Sequence, residues 1–312
     1  MSASSQSPTH TLRKKLRPFL LKTGLGRVVL IPVRLRMALG SCTPRLGRAI
    51  SWALSSRELY NFTYEITPEN REYLAHTVSV VTGVPHSRAM SYILELEEDE
   101  AIRRHVVEGI RQSSARYSAD ARCAFGRRLG WYAFVRILKP RVVVETGVEK
   151  GLGAVALCAA LLRNEAEGFY GNYFGTDINS EAGFLLSEPY SRVGRILYGD
   201  SIQSLQSIPA IDIFVNDSDH SADYERREYE VVAPKLGIDG GLILGDNCHC
   251  NNVLARFSAE RGRQFIFFHE QPRDHWYAGA GIGISFPQPS QNRRKSDGLT
   301  ADVPGEGVDA LR

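Results

Sequence analysis

The stretch Arg141 to Leu162, RVVVETGVEKGLGAVALCAALL, decides the fold. Val142, Val143 and Val144 form a continuous apolar run of β-branched residues, as expected of a parallel strand covered on both faces. Glu145 closes the run. Gly147 and Gly151 then let the backbone turn tightly and leave room for a ligand, because neither carries a Cβ. The Ala/Leu-rich remainder reads as a helix whose first free N–H groups point back at that turn. Strand, glycine turn and helix together make the first half of a nucleotide-binding sheet.

The same alternation continues downstream. Tyr173 to Asp177 reads as a second strand ending in an acid, and one carboxylate there can accept hydrogen bonds from both hydroxyls of a ribose. Arg195 to Tyr198 reads as a third strand, closed by Gly199, Asp200 and Ser201. Ile211 to Val215 and Leu242 to Leu244 read as the fourth and fifth, separated by a charged helix from about Ala222 to Leu236. Phe265 to Phe268 and Ile282 to Phe286 read as the last two. The fold class expected is α/β, a Rossmann-like sheet of seven strands. The core is assigned to residues 139–287, and the Pro/Gly/Ser-rich tail 288–312 is expected to be disordered.

Upstream, residues 56–138 read as a helical cap or dimerisation region that could equally cover a substrate pocket. Thr67 and Pro68 make a capped helix start. A second helix begins near Pro85 or His86 with Ala89, Tyr92, Ile93 and Leu96 on one face, and a third runs from Glu100 through Ile102, Val106, Val107 and Ile110. Residues 1–55 form a basic arm, expected to be partly disordered. Residues 1–50 hold ten Lys and Arg and no acid. That arm suits peripheral contact with an anionic membrane or packing on a partner subunit, with Pro18, Pro32 and several glycines expected to break any long amphipathic helix.

Composition narrows the classes further. A chain of 312 residues, 43% hydrophobic, can bury one substantial core with a smaller cap. A net charge of +3 does not indicate a nucleic-acid binder. Five cysteines without framework spacing indicate reduced thiols and a cytoplasmic setting, and no apolar run reaches the roughly 20 residues that a membrane span needs.

Chemistry concentrates at two strand ends. Asn216-Asp217-Ser218-Asp219-His220 follows the fourth strand, and Gly245-Asp246-Asn247 follows the fifth. Open α/β sheets place ligands at such carboxyl ends. Asp217, Asp246 and Asn247 would bring three oxygen donors together, a hard set suited to Mg²⁺ or a similar divalent cation.

The spacing Glu145-x-Gly147-x-x-x-Gly151-x-Gly153 differs from the dinucleotide fingerprint. It resembles the first motif of class I S-adenosylmethionine (SAM) methyltransferases. The Asp217 and Asp246-Asn247 arrangement resembles the metal triad of catechol-type O-methyltransferases. His220, third after Asp217, stands where the macrolide-sugar O-methyltransferases of the macrocin and mycinamicin kind have a histidine. The resemblance covers roughly residues 136–287. It implies SAM as cofactor, with Glu145, Gly147, Gly151 and Asp177 around its methionine and ribose ends and Asp200 and Ser201 near adenine. It implies a metal on Asp217, Asp246 and Asn247, and His220 acting with Asp217 in catalysis, an imidazole being a base near neutrality. The acceptor would be a small hydroxylated molecule, a sugar or a glycolipid among the candidates, and a homodimer is compatible. Asn216 and Ser218 depart from the apolar residue and the glycine that these families carry around the aspartate.

Other readings stay open. Asp217 and Asp219 could cap the following helix, Asp246 and Asn247 could be turn residues, and His220 a structural histidine. A non-catalytic SAM-binding or membrane-associated partner protein, or a hydroxylase-like member of the same superfamily, would share the motifs. The aromatic group His269, His275, Trp276 and Tyr277 suits an acceptor pocket or loop packing alike.

Overall fold

Alternate residues of the opening strand face opposite apolar layers, as the two-residue repeat of a strand requires. The computed structural model describes residues 28, 30–59, 63–237, 240–246 and 248–288. In it, Val143 belongs to one buried cluster and Val144 to another. The strands are β1 (Val142–Thr146), β2 (Asn172–Asp177), β3 (Gly194–Tyr198), β4 (Ile213–Asn216), β5 (Leu242–Asp246), β6 (Gln264–His269) and β7 (Gly281–Phe286), in the sheet order β3-β2-β1-β4-β5-β7-β6. The first five pair in parallel, and β7 enters antiparallel between β5 and β6. The expected seven-stranded α/β sheet is the observed one, and it ends at one edge in an antiparallel hairpin.

The helices, in chain order, are α1 (Ile31–Ser55), α2 (Pro68–Thr82), α3 (His86–Glu97), α4 (Glu100–Gln112), α5 (Arg128–Leu138), α6 (Leu152–Ala166), α7 (Ser201–Ser207), α8 (Ala222–Val232) and α9 (Val253–Glu260). Helices α7, α8 and α9 cover the Val144 face through Leu205, Tyr229 and Phe257. The other face is covered by α6 and by the helical region, whose Leu74, Ile93, Ile102 and Trp131 join the same cluster as Val143 and Ile284. Residues 63–138 thus share the core of the sheet. Thr67 caps α2 by accepting from the Asn70 N–H at 3.2 Å, and the expected faces of α3 and α4 are buried, except that Val107 is only partly covered.

Two expectations for the N-terminal half are corrected. Three helices were expected before the sheet and a fourth, α5, is present; its residues 128–136 are all buried, Arg128 and Arg136 included, so its polar side faces protein and not solvent. Pro18 lies outside the described residues, but Pro32 does not break the arm: α1 runs for 25 residues, with Pro32 in its first turn, where a missing N–H costs nothing, and Pro44 inside it. The tail beyond residue 288, the first 27 residues and Asn247 lie outside the described residues. Among the described residues, no helix is long and apolar enough to cross a membrane.

Candidate active site

Gly147 and Gly151 adopt the left-handed φ values 81° and 98°. A Cβ on Gly147 would overlap the carbonyl oxygen of Asp217, so only glycine lets the turn after β1 touch the loop after β4. Gly151 stands at the N-cap of α6. Beside this turn opens a cavity of about 920 Å³, walled by Gly147, Glu149, Asp177, Asp200, Ser201 and Asp217 among others, with Ser114, Ala115 and Ser118 of the helical region on its border. Its size suits a nucleoside-bearing ligand. The helical region therefore contributes to the cavity.

Both carboxylate oxygens of Asp177 are positioned by backbone, one accepting from the Glu149 N–H and the other from the Asn179 N–H, each at 2.9 Å. Asp200 caps α7 through the Gln203 N–H at 3.1 Å and accepts from the Tyr224 hydroxyl at 3.0 Å. Ser201 donates to buried Glu228 at 2.5 Å. Glu145 lies behind the cavity wall, 2% exposed, accepting from the Tyr173 hydroxyl at 2.5 Å. A Cβ on Gly153 would overlap its carboxylate, so that glycine makes the room for it.

Burial pushes the Glu145 carboxyl up to about 7 from an ordinary 4.5, against the lowering effect of Tyr173. The native state then binds a proton that the unfolded chain has released. Stability from this group is present below the unfolded value and falls as pH rises from about 4.5 to about 7, by about 3 kcal/mol in total. The difference in unfolding free energy between wild type and Glu145→Gln, followed over that range, should change by this amount; a pH-independent difference would refute the assignment.

Beyond β4 and β5, one ligand atom each from Asp217, His220 and Asp246 lie within 4.8 Å of one another. Asp246 is fully buried. The Asp217 carboxyl is pushed well above the usual carboxylate range, first by burial and then by the neighbouring Asp246 charge. Asp217 is partly exposed on the cavity side, and two facing carboxylates are a place where a cation is favourable. A second group able to hold a metal, Glu72, His76 and His86, lies outside the cavity wall.

His220 sits between two acids: its Nε2 is 3.7 Å from Asp217 Oδ1, and its Nδ1 is 3.5 Å from Glu225 Oε1. The facing carboxylate of Glu225 is the main cause that raises its pKa, opposed by burial. Glu225 is buried and is also held by the Asn251 amide at 3.1 Å. A carboxylate thus faces each ring nitrogen of His220.

The departures at Asn216 and Ser218 have a structural reason. The Asn216 amide and the Ser218 hydroxyl both donate to buried Glu228, and Tyr229 donates to the Asn216 oxygen at 3.0 Å. These bonds fix the loop that carries Asp217. Asp219 instead accepts from the Ser221 N–H at 2.9 Å and shapes the turn into α8.

Arg127 was not foreseen. It lies just ahead of α5, 7% exposed, and donates to Asp246 Oδ2 at 2.6 Å and to the Tyr64 hydroxyl at 2.5 Å. Its Nη1 is 3.4 Å from buried Glu270, which also accepts from Tyr64 at 2.9 Å and from the Ala280 N–H at 3.0 Å. Arg127 and Arg128 stand at a helix N-terminus, where the macrodipole disfavours cations. That mismatch was the one available signal that they answer to buried acids. His269, His275, Trp276 and Tyr277 are not on the cavity wall; the Tyr64 ring meets that of Tyr277 edge-on at 5.4 Å and that of His275 tilted at 5.8 Å.

Residues 144–248 match a family model described as a methyltransferase domain. This bears out the resemblance to class I SAM-dependent methyltransferases carried by Glu145 to Gly153. No curated protein matches the chain. Solved structures similar to it include an SAH-bound methyltransferase from Podospora anserina (12% identity, 74% of this chain and 100% of that one, TM-score 0.44). An O-methyltransferase from Streptomyces achromogenes involved in tomaymycin synthesis, in complex with SAM, shows 14% identity over 61% of this chain and 91% of that one, TM-score 0.41. An O-methyltransferase from Bacillus cereus in complex with SAH shows 13% identity over 70% and 99%, TM-score 0.39.

Proposed function

We propose that this chain, whose core is a SAM-dependent methyltransferase domain, methylates a hydroxyl of a small acceptor with the help of a divalent cation. The observation that carries this reading is the meeting of Asp217, His220 and Asp246 within 4.8 Å, with Asp217 also on the wall of the cavity that Gly147 and Asp177 line. A base, a cation site and a nucleoside-sized cavity are thus adjacent.

SAM, when bound, supplies an electrophilic methyl group on its sulfonium. Asp177 would accept from the ribose hydroxyls, with Asp200 and Ser201 toward adenine. The turn at Gly147 and Gly151 leaves space for the cofactor, and Glu145 would act on its amino end from behind that turn. Asp217 and Asp246, with His220 beside them and Asn247 as the third oxygen donor of the sequence reading, would hold Mg²⁺ or a similar ion. Such an ion, when bound, lowers the pKa of an acceptor hydroxyl and stabilises charge on its oxygen. His220 takes the hydroxyl proton, and Glu225 keeps the imidazole turned toward it and stabilises its charged form. Fixing acceptor and methyl donor in line can contribute about 7–11 kcal/mol. The histidine at the third position after Asp217, shared with the sugar O-methyltransferases that this segment resembles, favours a sugar-like acceptor.

Calorimetric titration with SAM, and separately with NADH, tests the cofactor. SAM should bind and NADH should not, and Asp177→Ala should weaken SAM binding about ten- to a hundredfold, the worth of a charge-assisted hydrogen bond. A folded protein without SAM binding would overturn the reading.

A further inference from the structure

Helix α1 is covered by little of the molecule. Ile31, Leu35, Leu39, Leu46, Ile50 and Leu54 follow one another at spacings of four or seven residues, which places them on one face of a helix. They are exposed by 46, 53, 58, 61, 54 and 85%. The side that meets the body is a different one. Arg48 pairs with Asp274 at 3.0 Å, and the Trp52 ring lies 5.1 Å from that of Trp276. Arg48 lies midway between Leu46 and Ile50 in sequence, about 200° around the helix from each, so the tether leaves the apolar stripe facing outward, with Val33 and Met37 exposed as well.

The charges decide what covers that stripe. Arg34, Arg36, Arg45 and Arg48 are the charged residues of α1, and it holds no Asp or Glu. A second copy of the helix laid on the stripe would bring cations to cations. An anionic lipid surface offers both an apolar layer for the leucines and negative charge for the arginines flanking them, whose long stems can follow apolar surface to the headgroups. We propose that the Ile31–Leu54 stripe of α1 is a docking face for an anionic membrane, on which the helix lies in the plane of the interface. The docking does not rest on the methyl-transfer reading.

The experiment is co-sedimentation of the full chain with vesicles of phosphatidylcholine alone or mixed with phosphatidylglycerol. Wild type should sediment with the anionic vesicles and stay in solution with the neutral ones. The variant L39E/L46E, on an exposed face and therefore without effect on folding, should lose binding. R34Q/R45Q should bind anionic vesicles about thirtyfold more weakly, since each arginine at such a surface contributes about a factor of five. No sedimentation of wild type, or binding that L39E/L46E retains, would overturn the proposal, the latter by assigning attachment to residues outside the stripe. Light scattering that shows a dimer dissolved by L39E/L46E would overturn it in favour of a second copy.

Discussion

Replacing Arg127 with methionine is expected to lower the unfolding free energy by about 3–5 kcal/mol, the usual cost of leaving buried charge without its partner. For a chain of this size that is a fall in Tm of roughly 10 °C. Asp246 and Glu270 are both fully buried and both face this one guanidinium. Tyr64 and the Ala280 N–H still hold Glu270 in the variant, so Asp246 bears most of the loss. The double variant Arg127→Met/Asp246→Asn should therefore recover most of the stability, and the cycle measures the coupling. Added Mg²⁺ should raise the Tm of Arg127→Met more than that of the double variant, because binding to the native state alone stabilises it. Equal responses would place the cation elsewhere.

The sheet was legible because its signals are local. The valine run ending at Glu145, the glycines before α6 and the acids at Asp177, Asp217 and Asp246 follow from residue type and spacing alone, and the parallel register brings these strand ends side by side. What could not be read are the partners. Arg127 meets Asp246 across 119 positions and Tyr64 meets Glu270 across 206, and no periodicity reports such a pairing. Glu225 and Glu228 belong to what reads in the sequence only as a charged helix; both are fully buried and face His220, Asn216 and Ser218.

The departures from the family pattern therefore had a meaning the sequence alone hides. Asn216 and Ser218 weakened the comparison with the metal-dependent families, yet they exist to satisfy Glu228, which also holds Ser201 on the cavity wall. One buried acid thus ties the loop bearing Asp217 to the residue expected near adenine. Helix α5 escaped for the same kind of reason: its Arg128 and Arg136 are buried together with Trp131, Tyr132 and Phe134, and residue type alone does not tell a buried, paired arginine from a solvated one.

The second large effect is expected on turnover. His220→Gln should lower the rate of S-adenosylhomocysteine formation with an accepted sugar or phenol by about 10²–10⁴, the range for loss of a general base. SAM affinity should hold, because His220 does not line the cavity. Asp217→Asn should cost a similar factor, and the double variant little more, since groups that act on one proton and one cation fail together. Glu225→Gln separates positioning from packing. It keeps the shape and an oxygen facing His220 but removes the charge that stabilises the imidazolium, so turnover should fall by about tenfold while SAM affinity and Tm stay near wild type. A His220→Gln enzyme of normal rate would move the base to another group. A normal rate in Asp217→Asn, with SAM still bound, would instead leave the acceptor hydroxyl to His220 alone and remove the cation from the reaction.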